Sequence, residues 1–152
     1  MQFLDQYAQT VELCGVWGIR RLVVDRTGLG NMMASMLQAK MGEMVIPFNF
    51  SRPSKSELTF QFLSLVNSGR LKIYAPDEAP SEVYEECMKQ LKLARYAIPG
   101  EGLLSMHVSP SEGHDDFLIS VALCTEAIKE FQPPVQEAQV IRPRVLYNDG
   151  RF

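Results

Sequence analysis

The sequence predicts a fold of the α/β class, because short apolar runs of strand character alternate along it with segments of helical periodicity. Residues 20–25 (RRLVVD) and 44–48 (MVIPF) are runs of the first kind, and residues 3–16 carry apolar side chains near helical spacing. Two further apolar runs, 91–98 and 103–108, flank a Pro-Gly-Glu-Gly turn signal. The late part of the chain is therefore predicted to form an antiparallel hairpin.

Composition and charge fit one globular domain. The 152 residues are 46% hydrophobic and 22% charged, which argues against a largely disordered chain. A formal net charge of −3 excludes a generic polycationic nucleic-acid binder, but it leaves room for a local basic patch around an acidic metal site.

The three cysteines form no CxxC motif, so we expect no structural zinc, no disulfide framework and a reducing compartment. The N-terminal residues predict neither a signal peptide nor a membrane span.

Capping signals place the first helix boundaries. Asn31 is an N-cap candidate for a helix that runs through Met41. Ser54 and Glu57 have the spacing of a capping box, which predicts another helix that ends at Gly69.

The second half of the chain is interpreted in the same way. Residues 70–75 (RLKIYA) predict a strand or an edge strand, and Ser81 begins a further helix. The GHDD motif at 113–116 precedes a segment, 117–131, that is apolar nearly all round and is therefore predicted to be a buried helix. Residues 132–152 contain two consecutive prolines and predict an extended tail.

Acidic residues stand at two ends of these elements. Asp25 ends a predicted buried strand, and the carboxyl ends of strands face the ligand crevice in open α/β sheets. Asp115 and Asp116 begin the last helix, whose N-terminal dipole favours negative charge. Carboxylates that converge in this way suit Mg²⁺ or Mn²⁺, and a pair of such ions can promote phosphodiester cleavage. Two structural interpretations stay open, with Asp25 as a turn former and Asp115 as an N-cap.

Other patterns carry less information about function. The glycines at 28–30 precede a helix, but the chain has neither a P-loop nor a dinucleotide-binding pattern. The serines near His114 resemble a hydrolase triad only superficially, since no GxSxG motif exists. Arg26, Arg52 and Lys55 are predicted at the same sheet edge as the strand-end acid, where they would neutralise DNA phosphates. A solvated surface is the alternative for these three residues.

Three segments together resemble the C-terminal nuclease domain of the large terminase subunits of tailed phages. They are VVDRTGLG (23–30), the long segment 46–73 that begins IPFNFSRPSKSE, and EGHDDFLISVALCTEA (112–127), whose order and spacing agree across residues 3–130. The resemblance implies a ribonuclease H-like mixed sheet that is flanked by helices and lacks the opening hairpin strands. It also implies a partial nuclease domain up to residue 131, with 132–152 as a C-terminal tail.

The resemblance implies a metal-dependent endonuclease that cuts concatemeric phage DNA during packaging. Of the three acidic positions of the family, Asp25 matches the second, and Asp115 and Asp116 match the third about equally well. These residues would bind Mg²⁺ or Mn²⁺. Lys55 matches a basic position that contacts phosphate, and His114 is an auxiliary residue that would position the metal or water.

The departures from the family pattern carry their own expectations. The first family acid has no counterpart, because the chain begins at the first helix and Asp5 lies within that helix, so we expect impaired cleavage. The alternative is a non-catalytic prophage remnant or a packaging-motor interaction module of the same fold, and a junction resolvase is a third hypothesis. The expected partners are double-stranded DNA, the terminase small subunit, the portal protein and a second copy bound through an exposed sheet edge. The expected location is the bacterial cytoplasm, without a membrane contact.

Overall fold

The structure is a computed structural model that describes residues 2–76, 79–100 and 102–129. Its helices are α1 (Phe3–Val16), α2 (Gly30–Met41), α3 (Arg52–Asn67), α4 (Glu82–Leu93) and α5 (Asp116–Ala127), with a short 3-10 helix at Gly42–Met44. Its strands are β1 (Leu22–Asp25), β2 (Val45–Phe48), β3 (Arg95–Gly100) and β4 (Leu103–His107). The predicted tail at 132–152 and the predicted boundary at 131 lie outside the described residues.

The strands pair in two separate two-stranded sheets. β1 and β2 are parallel, and Asp25 lies opposite Phe48 at their carboxyl ends. β3 and β4 form the predicted antiparallel hairpin, with Arg95 opposite His107. The α/β class is confirmed and both kinds of pairing occur, but among the described residues they do not join into one continuous mixed sheet. No helix in the described ranges has the length and apolar character that crossing a membrane requires.

The hydrophobic core lies between α3, α5 and β4. Leu58 of α3 and Leu118 of α5 are completely buried, because the apolar faces of these two helices pack in one cluster. Val23 of β1 also packs against this cluster, so the parallel sheet is attached to the same core. The prediction that the last helix is buried on all sides is wrong for one face, since Ser120 and Cys124 are exposed.

Two hydroxyl groups of α3 satisfy the outer edge of β4. The buried Ser56 accepts a hydrogen bond from the N–H of Leu104 at 2.9 Å, and the buried Thr59 accepts one from the N–H of Met106 at 3.3 Å. The Thr59 hydroxyl in turn donates to the carbonyl of Lys55 at 2.7 Å. The helix therefore supplies acceptors that a neighbouring strand would otherwise provide.

Replacing Thr59 by valine is expected to destabilise the fold by about 1–2 kcal/mol, because a buried N–H of β4 loses its acceptor while the side-chain shape is kept. The free energy of unfolding in urea measures the effect. Thr10→Val is the matched control, since the Thr10 hydroxyl makes only an exposed bond to the carbonyl of Gln6. We expect its effect to stay within about 0.5 kcal/mol. Equal losses at the two positions would contradict the bridging role of Thr59.

The start of α2 differs from the prediction. The helix begins at Gly30, and the prediction of Asn31 as its N-cap is wrong. The backbone N–H groups of Gly30 and Asn31 donate to the carbonyls of Thr27 and Gly28, at 3.1 and 3.2 Å. The turn thus satisfies the first helical N–H groups through the backbone, and no side-chain cap is needed.

The start of α3 also differs, because the capping residues lie earlier than predicted. Ser51 is the N-cap, and its hydroxyl and that of Ser54 each accept a hydrogen bond from the other residue's N–H, at 3.2 and 2.8 Å. Pro53 stands in the first turn, where its missing N–H costs nothing. The predicted box of Ser54 with Glu57 is therefore wrong, and Glu57 instead pairs with Lys129.

The segment after α3 is not a strand. Gly69 lies just beyond the helix with a φ of 66°, but residues 70–76 then run without helix, turn or bend and pair with no strand in the described part of the chain. The prediction of a strand at 70–75 is therefore wrong. Further along, the Ser81 hydroxyl accepts the N–H of Tyr84 at 3.2 Å, so Ser81 is the N-cap of α4, and the predicted start of this helix is confirmed. α4 continues to Leu93, into the run that was predicted as the first hairpin strand.

Candidate active site

Asp25 lies at the carboxyl end of β1, as predicted, and the next turn orients its side chain. Its Oδ1 accepts the N–H of Thr27 at 2.7 Å. The Thr27 hydroxyl oxygen in turn accepts the N–H of Phe50 at 3.0 Å. These bonds tie the end of β1 to the segment that follows β2, so the carboxylate has a defined position relative to both strands.

The other two candidate acids begin α5. Asp115 is half-buried at the N-cap position and Asp116 is exposed at the first helical position. Asp115 makes no side-chain capping bond, so it does not serve as a capping side chain. The N–H of Phe117 instead donates to the side-chain oxygen of Gln90 at 2.8 Å, and Gln90 is only 3% exposed. A residue of α4 therefore caps α5 and leaves the two carboxylates available for other contacts.

His114 immediately precedes the two acids of α5 and is exposed. Gln90 donates to the Glu86 carboxylate at 3.2 Å, and this bond, followed by the one from Lys89, lowers the pKa of Glu86. The charge of His114 makes a smaller contribution in the same direction. His114 does not line the pocket that contains the predicted acids.

The predicted acids share one pocket of about 380 Å³. Asp25 reaches it from β1, and Asp115 and Asp116 reach it from α5. Lys55, half-buried in the first turn of α3, lines the same pocket. The rest of the lining consists of Phe50, Ile119, Ser120 and Leu123. Asp25 and Asp116, which are 91 positions apart along the chain, thus line the same pocket, as the strand-end and helix-start pattern predicts.

The acids do not form a tight three-ligand cluster. Within residues 2–76, 79–100 and 102–129, no three His, Cys, Asp or Glu side chains group closely enough to hold a metal ion. Mg²⁺ is commonly bound by one or two carboxylates and keeps several waters. The carboxylate oxygens that line the pocket are the donor type that such a cation takes.

Two of the predicted DNA-contacting residues do not line the acidic pocket. Arg26 follows Asp25 directly and is exposed, and its N–H donates to the carbonyl of Phe48 at 2.9 Å. Arg52 is the first residue of α3 and lines a separate cavity of about 270 Å³ with residues of the β3–β4 hairpin. Of the three predicted cations, only Lys55 lines the acidic pocket.

Sequence reasoning missed the apolar wall of the pocket and its serine. Ser120 stands one helical turn after Asp116, and this i, i+4 spacing could have identified it. Phe50 has no such local signal. The Phe50 ring packs edge-on against Phe48, with ring centroids 4.9 Å apart. Its place in the pocket wall depends on tertiary packing, which no local sequence pattern encodes.

Cavity size alone does not locate the acidic site. A larger cavity of about 460 Å³ lies between the carboxyl ends of α3 and α5, and no carboxylate of the described residues lines it. A concave surface that is lined by several titratable groups indicates an active site more reliably than cavity volume does.

Among solved structures, the chain is similar to the crystal structure of the large terminase nuclease from thermophilic phage G20c. The match covers 87% of this chain, with a TM-score of 0.60 and 23% sequence identity. The chain has the fold of a large-terminase nuclease domain. It spans 64% of the length of that terminase nuclease chain. No protein-family model and no curated protein matches the sequence. This similarity confirms the terminase-nuclease fold that the resemblance of the three sequence segments implies.

Proposed function

We propose that this chain is a divalent-metal-dependent endonuclease domain that cleaves double-stranded DNA. The observation that carries the proposal is the pocket in which three acids and one lysine meet from β1, α3 and α5. The terminase-nuclease fold supports it, because the solved structure with this fold is described as a nuclease.

The donor chemistry of the pocket selects the cation. Asp25, together with Asp115 or Asp116, would hold Mg²⁺ or Mn²⁺, since these ions prefer carboxylate oxygen ligands. When bound, such ions make water a stronger nucleophile and stabilise the leaving oxygen of a phosphodiester. Three carboxylates stand against one ammonium in the lining, so the pocket favours a divalent cation electrostatically.

The protein side chains position the substrate. Lys55 places a positive charge beside the acids, where it can bind an oxygen of the reacting phosphate. The apolar wall of Phe50, Ile119 and Leu123 keeps water from one side of the pocket and strengthens charge interactions inside it. Arg26, next to Asp25, and Arg52, at the start of α3, would neutralise the flanking phosphates.

The proposal extends to the substrate and partners that the terminase-nuclease fold suggests. The substrate would be concatemeric phage DNA in the cytoplasm of a bacterial host, and the partners would be the terminase small subunit and the portal protein. In the described part of the chain, β1 pairs with β2 only. Its other edge would pair with a second copy of the chain, because an unpaired strand edge is a template for another strand.

A non-catalytic role in the packaging motor is the second candidate function. It is favoured by the lack of a three-ligand group in the described ranges, because loss of one metal weakens a two-metal clamp severely. A prophage remnant with this fold would behave in the same way in solution.

Incubation of the chain with supercoiled plasmid and Mn²⁺ tests the proposal. We expect nicked and linear DNA to appear, the reaction to stop when a chelator is added, and the activity to elute with the chain in size-exclusion chromatography. Absence of cleavage, together with no Mn²⁺ binding in titration calorimetry, would instead establish the non-catalytic role. A preference for four-way junctions over linear duplex would show a resolvase-type nuclease.

A further inference from the structure

Residues 70–76 have the sequence of a strand without a strand partner. The segment RLKIYA contains Ile73 and Tyr74, which are residue types that favour strands, and it runs without helix, turn or bend. Among the described residues, the backbone groups of residues 72–75 make no hydrogen bond. Such N–H and C=O groups are a template for pairing with another chain.

The segment is held in place from both sides. The N–H of Leu71 donates to the carbonyl of Leu65 at 3.2 Å, and the Leu71 side chain packs against the core. The ring of Tyr74 contacts that of Tyr84 on α4, with centroids 5.4 Å apart. A segment that is already positioned loses less conformational entropy when a partner binds.

An apolar groove borders this segment. A cavity of about 400 Å³ is lined by Leu65, Leu71 and Ile128, and Arg70 and Lys72 lie at the same surface. Successive side chains of a strand point to opposite faces. Alternate side chains of a strand added along residues 71–75 would therefore enter the groove.

The charges around the groove indicate the chemistry of the partner. Lys129, which lines the neighbouring cavity, is already paired with Glu57 and Glu126, and the bond to Glu57 raises its pKa. Within the described ranges, neither Arg70 nor Lys72 pairs with a carboxylate, and the Arg70 guanidinium donates only to the Ser68 hydroxyl. The uncompensated charge is positive, so a second copy of this segment would add like charges, whereas an acidic partner would neutralise them.

We propose that residues 71–75 bind an extended segment of a partner protein in which apolar and acidic residues alternate. Backbone hydrogen bonds would supply affinity, and the groove with Arg70 and Lys72 would supply specificity. Thr125, at the groove, lies nine residues after Asp116 on α5, which is about 14 Å along the helix axis. The groove at Thr125 is therefore distant from Asp116 in the acidic pocket, and the proposal does not depend on DNA cleavage.

A fluorescein-labelled synthetic nonapeptide of alternating valine and glutamate tests the proposal with the full chain, by fluorescence anisotropy. We expect binding that becomes at least about tenfold weaker when lysine replaces glutamate in the peptide. The N–H groups of alternate peptide residues point to the same edge of the peptide. N-methylation on the edge that pairs with residues 71–75 should abolish binding, and N-methylation on the opposite edge should leave binding unchanged. No binding, or binding that N-methylation on either edge leaves unchanged, would overturn the proposal.

Charge-reversal variants of the protein distinguish peptide binding at the groove from unspecific attraction between charges. The Arg70→Glu/Lys72→Glu variant should prefer the lysine peptide over the glutamate peptide, a reversal that misfolding cannot produce. The Lys40→Glu/Lys92→Glu variant makes the same change in net charge at exposed positions outside the groove, and it should keep the wild-type preference. If the control variant reverses the preference too, or if the wild-type chain forms a dimer that the groove variant abolishes, the proposal is wrong.

Discussion

Replacement of Asp25 by asparagine is expected to slow Mn²⁺-dependent plasmid nicking at least about 100-fold, because metal stabilisation of the reacting phosphate is worth several kcal/mol. Asparagine keeps the side-chain oxygen that accepts the N–H of Thr27 at 2.7 Å. The turn should therefore survive while the negative charge is lost. Initial nicking rates measure the effect, and thermal unfolding checks that the fold is intact.

Asp5→Asn is the matched control for this variant. The Asp5 carboxylate also accepts a nearby backbone N–H, that of Gln2 at 3.2 Å, but it lies on α1 outside the pocket lining. The control loses the same charge and keeps the same kind of hydrogen bond, so we expect its nicking rate to equal that of the wild type. A similar loss in both variants would mean that net charge, and not the pocket, controls the reaction. Full activity of the Asp25 variant would remove this residue from the site.

The positions of the candidate acids were predictable because they depend on short-range patterns. An apolar run that ends in an acid places Asp25 at a strand end, and GHDD before an apolar segment places Asp115 and Asp116 at a helix start. Helix packing then brings these ends to one pocket. Lys55 was identified through the terminase resemblance, since a single lysine in a first turn has no chemical signature of its own.

The features that the sequence did not reveal depend on contacts between distant residues. Gln90 caps α5 from 27 positions away, and no local motif encodes this bond. The run at 70–75 contains the strand-favouring Ile73 and Tyr74, but strand formation needs a partner that the described residues do not provide. Capping of α3 was misplaced by three residues, because both Ser51 and Ser54 are good caps and only the backbone geometry distinguishes them.

Gly30→Ala is expected to destabilise the fold by about 1–3 kcal/mol, although alanine normally stabilises a helix relative to glycine. A Cβ atom at Gly30 would lie 2.2 Å from the carbonyl oxygen of Asp25, so the start of α2 and the end of β1 cannot keep their present contact. The Cβ position is fixed by the backbone of residue 30, and the atom that it meets is a backbone oxygen. No rotation of a flexible side chain can therefore relieve the clash. The free energy of unfolding in urea, measured against the wild type, gives the sign and the size of the effect.

The same variant links the fold to the site, because the atom that must move belongs to the residue that we propose as a metal ligand. A displacement of about 1 Å at a reacting centre can reduce the rate about 100-fold, so nicking should fall further than the loss of stability alone explains. Gly15→Ala is the matched control, since Gly15 is also helical and no atom lies within 4 Å of its added Cβ. It should stabilise the chain by up to about 1 kcal/mol and leave nicking unchanged. Stability changes of the same sign in the two variants would show that helix propensity, and not the contact between Gly30 and Asp25, decides the outcome.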